Sequence, residues 1–266
     1  MKKVILAVAA MFFGMAVSAQ SISIYSGAKE KLNFSPEEID SIVFNKESAT
    51  GVLTARLVKG TWCSVGTSIT WYNDNVDFSK GRFTRGYQDR VMDKLAFDDF
   101  INVGDNGGIA SGSINRPKKA DYYSIEHGIN DWGKQTPVGT FDDYLNNTGN
   151  STFAGAYRLL IDKIYSLNPN AKIVLCTPRK AYGFDGYLPA HWYDAKPNGV
   201  YLKDYVDIIK KIAEYESLPV ADFFNECGGQ NNLARLSIDT ALHPNDDGYQ
   251  LMANVLVKAF EKIIVD

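Results

Sequence analysis

The chain of 266 residues has only three cysteines, Cys63, Cys176 and Cys227. None stands in a C-x-x-C spacing, so no metal site is expected, and the odd number leaves one thiol over from any disulfide. Cys63 and Cys176 lie in apolar runs and are expected to act as small packing residues. Basic charge is not in excess: the formal net charge is −3, which argues against a nucleic-acid surface. Beyond the first 19 residues no stretch is apolar and long enough to span a bilayer. There is no internal repeat and no low-complexity tract, and nothing in the composition calls for a cofactor.

One apolar run opens the chain. Lys2 and Lys3 precede Val4 to Val17, and Val17-Ser18-Ala19 fits a small-residue cleavage site. Residues 1–19 are therefore expected to be a secretory signal, with Gln20 the first residue of an exported periplasmic or extracellular protein. No cysteine follows the run, so no lipid anchor is expected. Residues 20–50 form a second region. Ser21 to Tyr25 alternates in polarity and Ile39 to Phe44 is another short run, which together read as a small N-terminal β-ribbon with a linker.

Residues 51–266 alternate strand and helix patterns. The expected strands are Thr61–Val65, Phe100–Val103, Tyr122–Glu126, Lys172–Cys176 and Pro219–Ala221. Helical periodicity runs over Ser151–Leu167, with Ser151 as its cap, over Tyr201–Ser217 and over Asp246–Ile264. Such alternation implies an α/β domain with a parallel sheet covered on both faces. Two irregular stretches, 132–150 and 179–199, each follow an expected strand, on the side where α/β sheets build sites.

Candidate chemistry lies at those strand ends. Ser68 follows Gly66-Thr67 after the first strand; it suits a nucleophile or a cap for the next turn. The loop Asn102 to Gly108 is rich in Gly and Asn and suits either a tight turn or a backbone N–H aimed at an oxyanion. Asn130, in Gly128-Ile129-Asn130-Asp131, suits an Asx turn or an amide donor to an oxyanion. His127 reads as a packed structural histidine. His243, in a loop just before the last helix and with Asp239 upstream, suits a base held by a carboxylate.

Four blocks in this order, Gly66-Thr67-Ser68-Ile69-Thr70-Trp71, Asn102-Val103-Gly104 with Gly107, Gly128-Ile129-Asn130-Asp131, and Asp239 to Asn245, resemble the SGNH hydrolases, also called the GDSL esterase family. The resemblance spans about residues 57–264. It implies a three-layer α/β/α sandwich on a five-stranded parallel flavodoxin-like sheet. It also implies Ser68 as nucleophile, His243 as base, and an oxyanion hole made by Ser68 N–H, Gly107 N–H and the Asn130 side chain. Two positions depart from the family: Thr67 stands where Asp is common, and Thr240 stands three residues before the histidine, where the acid usually is. Asp239, one residue further back, is the preferred acid, the alternative being a Ser68–His243 dyad with a backbone carbonyl orienting the ring.

The expected activity is hydrolysis of carboxylic esters, with O-acetyl groups on a glycan preferred because Trp71, Tyr72, Trp132, Tyr182, His191 and Trp192 lie near loops where aromatic faces suit sugar rings. A lipid or thioester acylhydrolase, and a non-catalytic glycan-binding protein on a degenerate hydrolase fold, are the alternatives. The N-terminal ribbon resembles segments of exported Bacteroidota proteins.

Overall fold

The computed structural model describes residues 22–26, 29–34, 55–73 and 85–264. The expected signal segment lies outside them. The chain divides into two units, 1–52 and 53–266. In the first, β1 (Ile22–Ser26) pairs antiparallel with β2 (Lys29–Phe34), from Ile22 opposite Phe34 to Ser26 opposite Lys29, with a register shift between Ile24 and Tyr25. The ribbon's second strand is thus Lys29–Phe34, only two residues beyond the first; the run Ile39–Phe44 lies outside the described residues.

In the second unit the strands β3 (Arg56–Gly66), β4 (Leu95–Asn102), β5 (Tyr122–Glu126), β6 (Lys172–Cys176) and β7 (Val220–Ala221) form one parallel sheet in the order β4-β3-β5-β6-β7. Counted within the unit this is the order 2-1-3-4-5 of a doubly wound flavodoxin-like sheet, whose chain reverses direction beside the first strand and opens a crevice there. Alternate residues divide the strands between two cores. Cys63, Val65, Tyr123, Ile125, Ile173 and Leu175 pack with α3 (Ile129–Gly133), α4 (Phe141–Leu145), α5 (Phe153–Leu167) and α6 (Leu202–Glu216). Val58, Trp62, Tyr122, Val174 and Cys176 pack with α2 (Tyr87–Met92), α7 (Phe223–Glu226) and α8 (Asp246–Phe260). The result is a three-layer α/β/α sandwich, as the alternation implies.

Elements differ from their expected extents for local reasons. β4 begins at Leu95 rather than Phe100, because Asp98 and Asp99 interrupt its apolar pattern on an exposed edge strand. Thr152, not Ser151, caps α5, accepting from Gly155 N at 3.1 Å. The stretch 132–150 is not wholly irregular: it contains α4, whose entry is closed by Asp143 accepting from Thr140 N at 2.7 Å. The second face is dominated by aromatic packing, with Trp62 5.6 Å from Phe97, 5.0 Å from Phe100 and 5.2 Å from Phe260 between ring centroids. Truncating a ring such as Phe260 to alanine typically costs about 3–5 kcal/mol. All three cysteines are free and buried.

Candidate active site

β3 ends at Gly66 and the chain turns at once into α1 (Ser68–Trp71), so Ser68 stands at the C-terminal end of the sheet's central strands. The turn is tight because Gly66 has no side chain: a Cβ there would lie 2.9 Å from the Glu126 carbonyl and 2.1 Å from Thr70 Oγ1. Thr67 caps α1, its Oγ1 accepting from Ile69 N. Ser68 is only 4% exposed, yet its Oγ lies 3.0 Å from His243 Nε2.

His243 comes from the irregular segment before α8. Its ring is held on three sides. Asp239 Oδ2 lies 2.5 Å from Nδ1, Tyr72 meets the ring edge-on at 5.2 Å, and Phe184 does so at 5.6 Å. Asp239 reaches Nδ1 because its other oxygen, Oδ1, closes the turn by accepting from Leu242 N at 3.1 Å and His243 N at 2.8 Å. Ile238 N donates to His243 O, and a bridge between Ser237 and Pro244 ties the two ends of the turn. Burial by itself would raise the Asp239 carboxyl, but the hydrogen bonds and charge of His243 hold it below the usual carboxylate range. The segment is anchored to the sheet by Arg179, 1% exposed, which follows β6 and donates to Ser237 Oγ at 2.9 Å. Burial pulls that guanidinium down to about 10.

The oxyanion candidates lie opposite. Among the described residues the backbone N–H groups of Ser68 and Gly107 take no partner. Gly107 has φ +75°, a conformation that costs other residues, and open space lies where a Cβ would be. Its carbonyl is drawn away by Lys134 Nζ at 2.6 Å. Asn130, on α3, is 4% exposed and spends one amide hydrogen on Gly108 O at 2.9 Å, which leaves the second uncommitted. Tyr187 OH lies 3.2 Å from Asn130 Oδ1, so the amide is held from both ends. Asp131 completes this side: it accepts from Ala110 N and Gly128 N, both at 3.2 Å, joining the Asn102–Gly108 loop's continuation to the α3 turn. Burial pushes its carboxyl up to about 7. Gly128 has φ +124°, and a Cβ there would meet Pro178 at 3.0 Å.

The aromatic candidates separate into different fates. Trp132 is fully buried in the core and donates from Nε1 to Val200 O, so it cannot meet a substrate. Tyr72 is 3% exposed and braces the histidine instead of offering a face. Trp192 is half-buried against Phe224 at 5.4 Å, with Lys180 Nζ 5.0 Å from its ring centroid; its apolar surface is already used within the protein. His191 is exposed, bonded through Nδ1 to Asp194 at 3.0 Å and stacked on Tyr193. Tyr182 is half-buried. Trp71 is half-buried and, three residues after Ser68, shares its helical face. It lines a groove of about 430 Å³ with Asn102, Gly104, Asn115, Arg116 and Lys118. His127 is fully buried, neither of its ring nitrogens has a hydrogen-bond partner among the described residues, and it is pushed down to about 3 by burial and by Arg116. Sequence reasoning missed Tyr187, Phe184 and Arg179, which sit in a stretch without periodicity.

Residues 64–251 match the GDSL-like lipase/acylhydrolase family. No curated protein matches the sequence. Among solved structures, a possible lipase from Chitinophaga pinensis is similar at 29% identity and a TM-score of 0.66, over 77% of this chain and 98% of that one. The lipase/acylhydrolase from Enterococcus faecalis is similar at 18% identity and a TM-score of 0.53, over 77% and 97%. A catalytic mutant of an acetylxylan esterase from Geobacillus stearothermophilus is similar at 19% identity and a TM-score of 0.50, over 75% and 93%. The last two likenesses are of fold.

Proposed function

Because the chain belongs to the GDSL-like lipase/acylhydrolase family, and is thereby an ester hydrolase, we propose that it cleaves O-acetyl esters of a glycan through a Ser68–His243–Asp239 acyl-enzyme mechanism. The observation that carries the mechanism is the unbroken line from Ser68 Oγ to His243 Nε2 at 3.0 Å and from Nδ1 to Asp239 at 2.5 Å. His243 takes the Ser68 proton as Oγ attacks the ester carbonyl. The negative charge moves to the carbonyl oxygen, which receives hydrogen bonds from Ser68 N–H, Gly107 N–H and Asn130 Nδ2. When the tetrahedral adduct collapses, the alkoxide leaves with the proton held by His243. Water, deprotonated by the same nitrogen, then releases the acid and restores Ser68. Asp239, kept ionised, stabilises the imidazolium in both halves and fixes its tautomer.

The groove beside Trp71 supports a sugar on the alcohol side of the ester. It is lined mainly by amide, guanidinium and ammonium groups with one aromatic face, a surface suited to hydroxyl groups more than to an acyl chain. The acetylxylan esterase likeness, being one of fold, adds no weight to this substrate. The half-buried ring of Phe184 at His243 favours a second reading, a lipid acylhydrolase. A series of 4-nitrophenyl esters from acetate to decanoate, run beside acetylated xylan, decides between them. The glycan reading requires the highest kcat/KM at acetate and release of acetate from the polysaccharide. A maximum at eight or more carbons with no acetate release would select the lipid reading instead. The same proposal places the enzyme outside the cytoplasm, with the chain starting at Gln20; the N-terminal mass of secreted protein checks that boundary.

A further inference from the structure

Glu126 ends β5, and its side chain lies on the same face of the sheet as Trp62 and α2. It is fully buried. Among the described residues, every hydrogen bond its side chain makes goes to the turn that presents Ser68. One oxygen, Oε2, accepts from Thr67 N at 3.2 Å, from Thr67 Oγ1 at 2.7 Å and from Thr70 Oγ1 at 3.3 Å. The other oxygen, Oε1, is buried and has no partner among the described residues. A carboxyl group serving only to neutralise a neighbour would face a cation; this one faces only N–H and O–H donors of the two threonines that flank the nucleophile. The turn is gripped again from behind, where Thr70 Oγ1 meets Tyr87 OH at 2.8 Å and Gln88 Nε2 donates to Thr70 O at 2.8 Å.

We propose that Glu126 and Thr67 form a positioning pair for the nucleophile: the Glu126 carboxyl holds Thr67 by its N–H and its hydroxyl, and so fixes the Gly66–Thr67 peptide and the residue from which the chain turns into Ser68, which aims the Ser68 N–H at the oxyanion and Ser68 Oγ at His243. This rests on the reading of Ser68 as the nucleophile. Thr67 is extended, at φ −88° and ψ −161°, and its hydroxyl both donates to Glu126 and accepts from Ile69 N. The hydroxyl does both through a single atom. A carboxylate there would set two acids within hydrogen-bond distance in a buried site, where both cannot ionise together.

Burial pushes the Glu126 carboxyl up to about 7, against which the Thr67 and Thr70 hydrogen bonds work. The titratable groups around it are Tyr87 of α2, Asp131 of α3, Tyr157 of α5 and Cys176 of β6, with His127 next in the chain. Burial holds the two tyrosines and the thiol far above neutral pH and His127 far below it. Asp131, near 7, is the one neighbour that titrates with Glu126. It is present in every variant proposed below and so is common to all the profiles compared.

The test is steady-state hydrolysis of 4-nitrophenyl acetate from pH 6 to 9 by wild type, Ser68→Ala, Thr67→Val, Thr67→Asp and the double variant Thr67→Asp with Glu126→Gln, each shown folded by its thermal melt. Thr67→Val is expected to lower kcat about tenfold to a hundredfold with KM within about twofold, the scale of a misaligned reacting atom. The Thr67→Asp rate, divided by that of wild type, is expected to fall as pH rises above about 7, where a second charge enters the pair. Adding Glu126→Gln should flatten that decline and restore several-fold activity at pH 9. A packing role alone would give a loss independent of pH and not relieved by the second substitution. Wild-type kcat in Thr67→Val, or a flat ratio both in Thr67→Asp and in the double variant, would overturn the pair. Should Thr67→Val fail to fold, the two proteins carrying Thr67→Asp decide. Wild-type activity that survives in Ser68→Ala would instead overturn the nucleophile itself, which keeps the two failures distinct.

Discussion

Ser68 stands on a strand end in the middle of the sheet, whereas His243 stands in an irregular turn between two stretches of loop and helix. Each is held by a carboxyl group, and the two carboxyls live under opposite electrostatics. Asp239 faces a ring that becomes cationic during the reaction, and its own carboxyl is held below the usual range. Glu126 faces neutral donors in a fully buried pocket and is pushed up to about 7. The side that must stabilise charge keeps its acid ionised; the side that must only fix a backbone plane does so with an acid that need not be. A short strand-to-helix turn requires geometry from its partner, and a loop histidine requires charge as well.

The comparison breaks most visibly on the histidine side. His243→Ala should lower kcat about 10⁵-fold or more, and Asp239→Ala less, about 10³–10⁴-fold, because the imidazole can still act when its orienting acid is gone. Equal losses would mean that the turn Asp239–His243 collapses as a unit; burst kinetics with 4-nitrophenyl acetate measure both. On the oxyanion side, Asn130→Ala should cost about 3–4 kcal/mol, roughly 10²–10³ in kcat, with a smaller change in KM. An unchanged kcat would remove Asn130 from the mechanism. Tyr187→Phe deletes the hydroxyl that Asn130 Oδ1 and Asn130 O share, each at 3.2 Å, and the hydrogen bond of one such donor is worth about 1 kcal/mol, so kcat should drop about fivefold. A loss as large as that of Asn130→Ala would make Tyr187 a full member of the site.

The smallest effect is on stability, and its sign follows from the two acids. Glu126 and Asp131 have folded-state values raised from 4.5 and 3.8 to about 7, so their stabilising contribution is complete below the unfolded values and is lost as pH rises through about 7. His127, depressed to about 3, acts in the opposite direction, its contribution being complete above 6.5 and lost toward acid. Between pH 5 and 7 the two carboxyls outweigh the one imidazole, each group changing stability by at most about 1.4 kcal/mol per pH unit. The melting temperature should therefore fall from pH 5 to 8, and Glu126→Gln should flatten the slope. Asp239, with its lowered value, adds its contribution above the usual carboxylate range and loses it only in acid. A profile in which Glu126→Gln changes only the acid side would reverse the assignment of the two acids.

Much of this is legible in the chain itself. The apolar runs of β5, β6 and the second half of β3 and the periodicity of α5, α6 and α8 place the sheet and both layers, because those segments are buried; the more exposed first half of β3, Arg56 to Gly60, carries no such run. β4 is half-hidden because an edge strand tolerates Asp98 and Asp99. The four blocks name Ser68, Asn130 and His243, yet the displaced acid needs the structure: only the turn closed by Asp239 Oδ1 shows how a carboxylate four residues back reaches Nδ1. Aromatic residues near a motif carry no orientation, so Trp132 reads as a sugar platform in the sequence and is core in the fold. Glu126 is invisible for a different reason. It sits inside an apolar strand, and its partner Thr67 is where the family commonly has Asp, so each reads as an exception until they are seen 2.7 Å apart.

The measurement that tests the account most directly is hydrolysis of 4-nitrophenyl acetate by the chain beginning at Gln20, beside Ser68→Ala prepared in the same way. The account predicts turnover by the first protein, an acyl group on Ser68 detectable by mass spectrometry after rapid quenching, and the loss of both in the second. Turnover that persists in folded Ser68→Ala, or an acyl group found on another residue, would contradict it.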